Sequence, residues 1–173
     1  MAQKRQMFKG MLGVLFAAVI AIFVHEAHSI YLEIGPRQNL YNKAADTALT
    51  GERIGGLVLL QSVRTITPAL LLQQGHDDYD YYNGANGLTI ATGRGSEGIV
   101  RIAAARENRT AKGIGIGSKR EDVIAAYGKG YYKRSEQGAS VIGYVDKTAG
   151  QTLEFWLLEG KVAMIRLDSA DME

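Results

Sequence analysis

The stretch Thr110 to Gly128, TAKGIGIGSKREDVIAAYG, constrains the fold more than any other part of the chain. Ile114 and Ile116 alternate with glycines, so two apolar side chains share one side of an extended entry segment. Ser118 is a preferred N-cap, and Glu121 three residues on completes an S-x-x-E capping box, which predicts a helix starting there. Val123, Ile124 and Tyr127 fall on one face of that helix. Gly128 supplies the residue that enters the left-handed region without a Cβ penalty and stops it.

The glycines of Gly113 to Gly117 also invite a phosphate-loop reading. A Walker loop needs a lysine directly after its last glycine and a hydroxyl after that; here Ser118 precedes Lys119 and Arg120 follows, so the stretch reads as a turn into a helix. The pattern G-I-x-I-G-S-x-x-x-D-V-x-x-x-Y-G, followed by strands ending in LEFWLLEGKVAMIRL, resembles the SmpA/OmlA (BamE-like) envelope lipoproteins and the β-lactamase-inhibitor-protein repeat. The resemblance spans Thr110 to Leu167. It implies a short capped helix on a small antiparallel sheet, in a module that binds other proteins. Those lipoproteins are anchored through an N-terminal cysteine, and this chain has no cysteine, so the resemblance leaves only an uncleaved N-terminal helix for membrane attachment.

The lack of cysteine also removes disulfides, thiol catalysis and thiolate metal sites. Hydrophobic content of 46% with 22% charged residues excludes wholesale disorder, and 21 glycines against 2 prolines favour short strands joined by tight turns. Residues 1–29 read as a signal peptide or N-terminal membrane anchor: Lys4, Arg5 and Lys9 precede the apolar run Gly10 to Val24, and Ala27-His28-Ser29 offers small residues for cleavage. Beyond that segment basic and acidic side chains are equal in number. The formal charge of +2 therefore belongs to the N-terminal segment and argues against nucleic-acid binding.

Residues 30–53 read as a tether or packing arm with a strand at Ile30 to Ile34. Residues 54–104 resemble a degenerate copy of the organising stretch. Leu57 to Leu60 leads through Thr67 as N-cap and Pro68 at the first helical position, with Leu70 and Leu71 on the buried face and Gly75 as the stop. Leu88 to Thr92 and Ile99 to Ala103 are predicted strands joined by Gly93 to Gly98. That connector matches G-x-G-x-x-G, but a strand follows it rather than a helix, so it reads as a hairpin loop and not as a dinucleotide site. Ala104 to Lys112 forms a polar, arginine-rich connector. In residues 110–168 the helix is followed by strands Val141 to Val145, Thr152 to Leu158 and Lys161 to Leu167, the last two joined at Glu159-Gly160. The expected fold is α+β, two tandem modules each with a short helix on a small antiparallel sheet.

Leu153, Phe155 and Leu157 share the strand face that the helix covers, while Glu154, Trp156 and Leu158 face away. Trp156, the single tryptophan, is either an exposed recognition anchor or buried by another part of the chain. His76 to Gly87 has the most unusual composition. Asp77, Asp78, Asp80 and Asn83 offer oxygens to a hard cation such as calcium, although the spacing departs from D-x-[DN]-x-[DN]-G. Tyr79, Tyr81 and Tyr82 make the same stretch a candidate partner-binding loop. A hydrolase would have to use His76, the only histidine beyond the targeting segment, with Asp77, Asp78 or Asp80 as orienter and an unidentified serine. No catalytic residue and no cofactor is assigned. The sequence points to a non-catalytic protein-binding or scaffolding module of the bacterial cell envelope, exported from the cytoplasm and working with another envelope protein. A secreted calcium or carbohydrate binder using Asp77 to Asn86 is the alternative.

Overall fold

The structure is a computed structural model and describes residues 39–66, 71–76, 78–170 and 172. The chain divides into two units, Met1–Asn42 and Lys43–Glu173. In the first, residues 39–42 are helical. The targeting segment 1–29 and the strand expected at Ile30 to Ile34 lie outside the described residues, as do Thr67 to Leu70 and Asp77.

The second unit is built on one antiparallel sheet. In chain order its strands are β1 (Leu71–His76), β2 (Tyr79–Asn83), β3 (Leu88–Gly93), β4 (Ile99–Ala104), β5 (Tyr132–Glu136), β6 (Ala139–Asp146), β7 (Gln151–Leu158) and β8 (Lys161–Ser169). Their order across the sheet is β1-β2-β3-β4-β8-β7-β6-β5. Two four-strand meanders are thus fused through β4 and β8, with Arg101 opposite Asp168 and Ala104 opposite Ile165. Two-residue turns set the register of the second meander. Gln137 and Gly138 have φ of 49° and 81°, and Glu159 and Gly160 have 50° and 76°, the positive pair that matches the twist of the flanking strands.

One face carries the core. Ile90, Ile102, Ile142, Tyr144, Leu153, Phe155, Ile165 and Leu167 are fully buried there, each contributing about 2 kcal/mol by leaving water. The cover comes from the segment 49–66, through Leu49, Ile54 and Leu59, and from the β4–β5 connection, through Ile114 and helix α1 (Arg120–Tyr127) with Val123 and Tyr127. The two covers are tied together. Gly55 N donates to Arg109 O at 3.1 Å, and the buried Glu52 carboxylate accepts from Ala111 N at 2.7 Å and from Tyr127 Oη at 2.8 Å. Burial beside Glu52 pushes the Tyr127 phenol far above its ordinary range.

This architecture corrects the expected fold. The sheet is one continuous eight-stranded layer, not two separate small ones, and this also overturns the BamE-like resemblance, which implies a small single module. The first half holds a short 3-10 turn at Val63–Ile66, and Leu71, placed on a helix by the sequence reading, opens strand β1. The apolar run has no helical period to hold it. It pairs with the tyrosine strand instead, Leu71 opposite Asn83 and Leu72 opposite Tyr82, and Gly75 sits at a register irregularity rather than at a helix stop. The start of α1 is also displaced by one residue. Lys119 is the N-cap and its N–H donates to Asp122 Oδ2 at 2.9 Å, while Ser118 Oγ accepts from Gly115 N at 3.1 Å. Gly128 does end the helix, with φ 88° and its N–H on Ile124 O at 2.8 Å.

Candidate functional site

The face of the sheet opposite α1 carries a row of charged and aromatic side chains, and strand register builds it. Across β8, β7, β6 and β5, the residues Arg166, Glu154, Gly143 and Tyr132 stand opposite one another in turn. Next to them Arg101 of β4 stands opposite Asp168 of β8. Side chains two apart share a face, so Arg134, Trp156 and Asp168 join the same surface.

Glu154 is the hub and is only 1% exposed. Arg134 grips it with both ends of its guanidinium, Nε to Oε1 at 2.9 Å and Nη2 to Oε2 at 2.8 Å. Arg166 Nη2 donates to Oε2 at 2.6 Å, Tyr132 Oη to Oε1 at 2.5 Å, and Trp156 Nε1 reaches Oε2 at 3.4 Å. Arg166 continues to Asp168, which Arg101 holds from the other side in a two-pronged pair at 2.7 and 2.9 Å. Arg134 also pairs with Glu136. Burial alone would push the Glu154 carboxyl up, but the hydrogen bonds from Arg134 and the charges of Arg166 and Arg134 outweigh it and hold the group at about 2. Glu154 clamped in this way is an acceptor at neutral pH and has no proton to move.

Trp156 lies within this network. The Arg134 guanidinium stands 5.2 Å and that of Arg166 5.6 Å from its ring, and it is 8% exposed, packed with Ala139, Val141 and Met164. Gly143 makes the row possible, because a Cβ there would overlap the Tyr132 ring that crosses it to reach Glu154. The one sign of this requirement in the sequence is Gly143 itself, which interrupts an otherwise ordinary strand.

The tyrosine-rich stretch is a strand and not a loop. Tyr79 and Tyr81 share the face of the sheet that carries Arg101, Tyr79 opposite Gly93 and Tyr81 opposite Ala91, which in turn stands opposite Arg101. Tyr82 turns to the other face and packs against the core. Tyr79 and Tyr81 are each half-buried. Strand alternation sends Asp80 and Asn83 to opposite faces, and Asp80 Oδ2 accepts from Gly95 N at 3.4 Å. Asp78 is exposed just before the strand, while Asp77 and the His76 side chain lie outside the described residues. Among the described residues no group of three or more acidic or histidine side chains is placed to hold a metal ion. The Gly93 to Gly98 connector is the β3–β4 loop, closed by Ser96 N on Gly93 O at 2.8 Å and followed by a strand.

No protein-family model and no curated protein matches the chain. Among solved structures, a cysteine-rich secretory protein from Staphylococcus aureus overlaps 75% of this chain and 48% of its own, at 15% identity and a TM-score of 0.47. The chain spans about half the length of that protein. A likeness at this level assigns neither fold family nor activity.

Proposed function

We propose that the protein is a non-catalytic binding module that works outside the cytoplasm and engages another envelope protein through the sheet face opposite α1. The observation that carries the reading is the pair Tyr79 and Tyr81, side by side and half-buried beside Arg101 on a rigid strand. Tyrosine and arginine are the side chains that dominate binding surfaces, and strand pairing holds these in place before a partner arrives. Clamping of Glu154 by Arg134 and Arg166 supports a structural and recognition role for that carboxylate rather than proton transfer. The extracytoplasmic address rests on the basic-then-apolar segment at residues 1–29. Among the described residues no helix is long and apolar enough to cross a membrane.

The test is site-specific photo-crosslinking in the organism the protein comes from, with the photoreactive residue at Tyr79, at Tyr81 or at the exposed control Thr148. The reading expects one discrete adduct from the tyrosine positions and none from Thr148. Absence of any adduct from both tyrosine positions refutes it. Mass spectrometry of the recovered N-terminus distinguishes a cleaved signal from a retained anchor.

A further inference from the structure

The connection between β2 and β3 carries two Asn-Gly pairs of the same chemistry, Asn83-Gly84 and Asn86-Gly87, in different backbone settings. Asn83 ends β2 and is paired on both sides, opposite Leu71 of β1 and Thr89 of β3. The N–H that follows it, of Gly84, donates to Leu88 O at 2.9 Å. Asn86 lies outside the strand ladder, in the short 3-10 turn Ala85–Gly87, and is exposed. Its φ of 54° and ψ of 35° are left-handed, a conformation that asparagine tolerates better than most side chains do.

The fold also dictates the residue after it. Gly87 has φ 69°, and a Cβ there would press on the Arg106 side chain at 3.0 Å. Glycine is thus favoured at 87, and it leaves the backbone nitrogen next to the Asn86 side chain unshielded. Among the described residues the Asn86 side-chain amide has no hydrogen-bond partner. The Asn86 main-chain carbonyl, by contrast, accepts from Asn108 Nδ2 at 2.8 Å. Asn108 is buried, and its Oδ1 fills the space that a Cβ on Gly55 would take. It therefore joins the β2–β3 connection to the segment 49–66 that covers the core.

We infer that Asn86 is a self-modification site, which the folded protein converts to aspartate and isoaspartate while Asn83 is spared, and that the isoaspartate form frees Asn108. Asparagine is thermolabile because its side chain lies within reach of the next backbone nitrogen. The Gly87 nitrogen gives up its proton to hydroxide and attacks Asn86 Cγ. A C–N bond forms, the Cγ–Nδ2 bond breaks, and ammonia leaves with a proton taken from water, which restores the hydroxide. Water then opens the five-membered imide. Opening at Cγ gives ordinary aspartate, whereas opening at the main-chain carbonyl reroutes the chain through the side chain and lengthens it by one methylene. The rerouted form displaces the carbonyl that Asn108 holds. Strand pairing on both sides of Asn83 keeps Gly84 from swinging over that side chain, so the same chemistry is blocked there. None of this depends on the partner-binding role of Tyr79 and Tyr81.

The full chain is held at pH 8 and 37 °C, folded and in guanidinium chloride, and sampled by peptide mapping with electron-transfer fragmentation, which tells the two asparagines apart and reveals isoaspartate. In denaturant both pairs should convert at similar rates. In the folded chain Asn86 should convert at least tenfold faster than Asn83, and Asn86→Gln should abolish conversion at 86 without changing the rate at Asn83. Hydrogen exchange of residues 104–108 should quicken as isoaspartate accumulates in the wild type, but not in equally aged Asn86→Gln. Three results overturn the inference: no conversion of Asn86 in the folded chain, conversion of Asn83 there at a similar or higher rate, or exchange that stays unchanged as Asn86 converts.

Discussion

Replacing Glu154 by glutamine removes one charge from the centre of the row and leaves its shape. Wild-type Glu154 is held at about 2, below its ordinary 4.5. A carboxyl whose folded value is depressed contributes stability above its unfolded value and loses it as pH falls through the folded one, so the window is between about pH 4.5 and 2. At 1.4 kcal/mol per unit the contribution is about 3 kcal/mol. The variant loses that contribution at neutral pH and also leaves Arg134 and Arg166 short of a counter-charge, so the expected loss at pH 7 is about 3 to 5 kcal/mol. Urea unfolding of the full chain and of Glu154→Gln at pH 7, 5 and 3 measures both effects. The gap between the two proteins should be widest at pH 7 and close by half or more at pH 3. A gap that stays constant with pH means that Glu154 is not the acid-sensitive group. A gap below 1 kcal/mol at pH 7 means that the arginines find other partners.

Gly143→Ala drives a Cβ into the Tyr132 ring and breaks its bond to Glu154, with an expected loss of about 2 to 4 kcal/mol that Tyr132→Phe should not deepen when the two are combined; thermal unfolding of the single and double variants checks this. Gly128→Val forces a β-branched residue to φ 88° and should cost at least about 1 to 2 kcal/mol in the same assay. Asp122→Ala should cost about 1 kcal/mol because it empties the N-terminal cap bond to Lys119. Ser118→Ala leaves that bond intact, so a larger loss there than at Asp122 would return the helix start to the position read from the sequence.

The parts legible in the sequence are those written within a few residues of themselves. Gly128 as a stop, Glu159-Gly160 as a turn, the alternation of Leu153, Phe155 and Leu157, and the strand after Gly98 depend on local backbone preference and local period. The fusion of β4 to β8 joins strands from opposite halves of the chain, and nothing in Ile99 to Ala104 announces which strand it will meet. The run at Leu70 to Leu72 is too short and too uniformly apolar to declare its period, and for Leu71 and Leu72 the pairing of β1 with β2 decided it. The charged row was illegible for the same reason. Glu154 and Trp156 were read as facing away from the helix, but Arg134 and Arg166 reach them only after β5 and β8 are aligned, and that alignment is what covers the tryptophan.

The fusion through β8 carries a consequence for the time before folding is complete. During synthesis or export the first meander is finished at Ala104, yet the strand that will cap β4 is β8, the last of the eight. Until residues 161–169 emerge, β4 presents an unpaired and apolar flank that would accept any other strand, including β8 of a neighbouring copy. Truncation before Lys161 should therefore yield chains that exchange strands and aggregate, and a folding rate set by this long-range closure rather than by the hairpins.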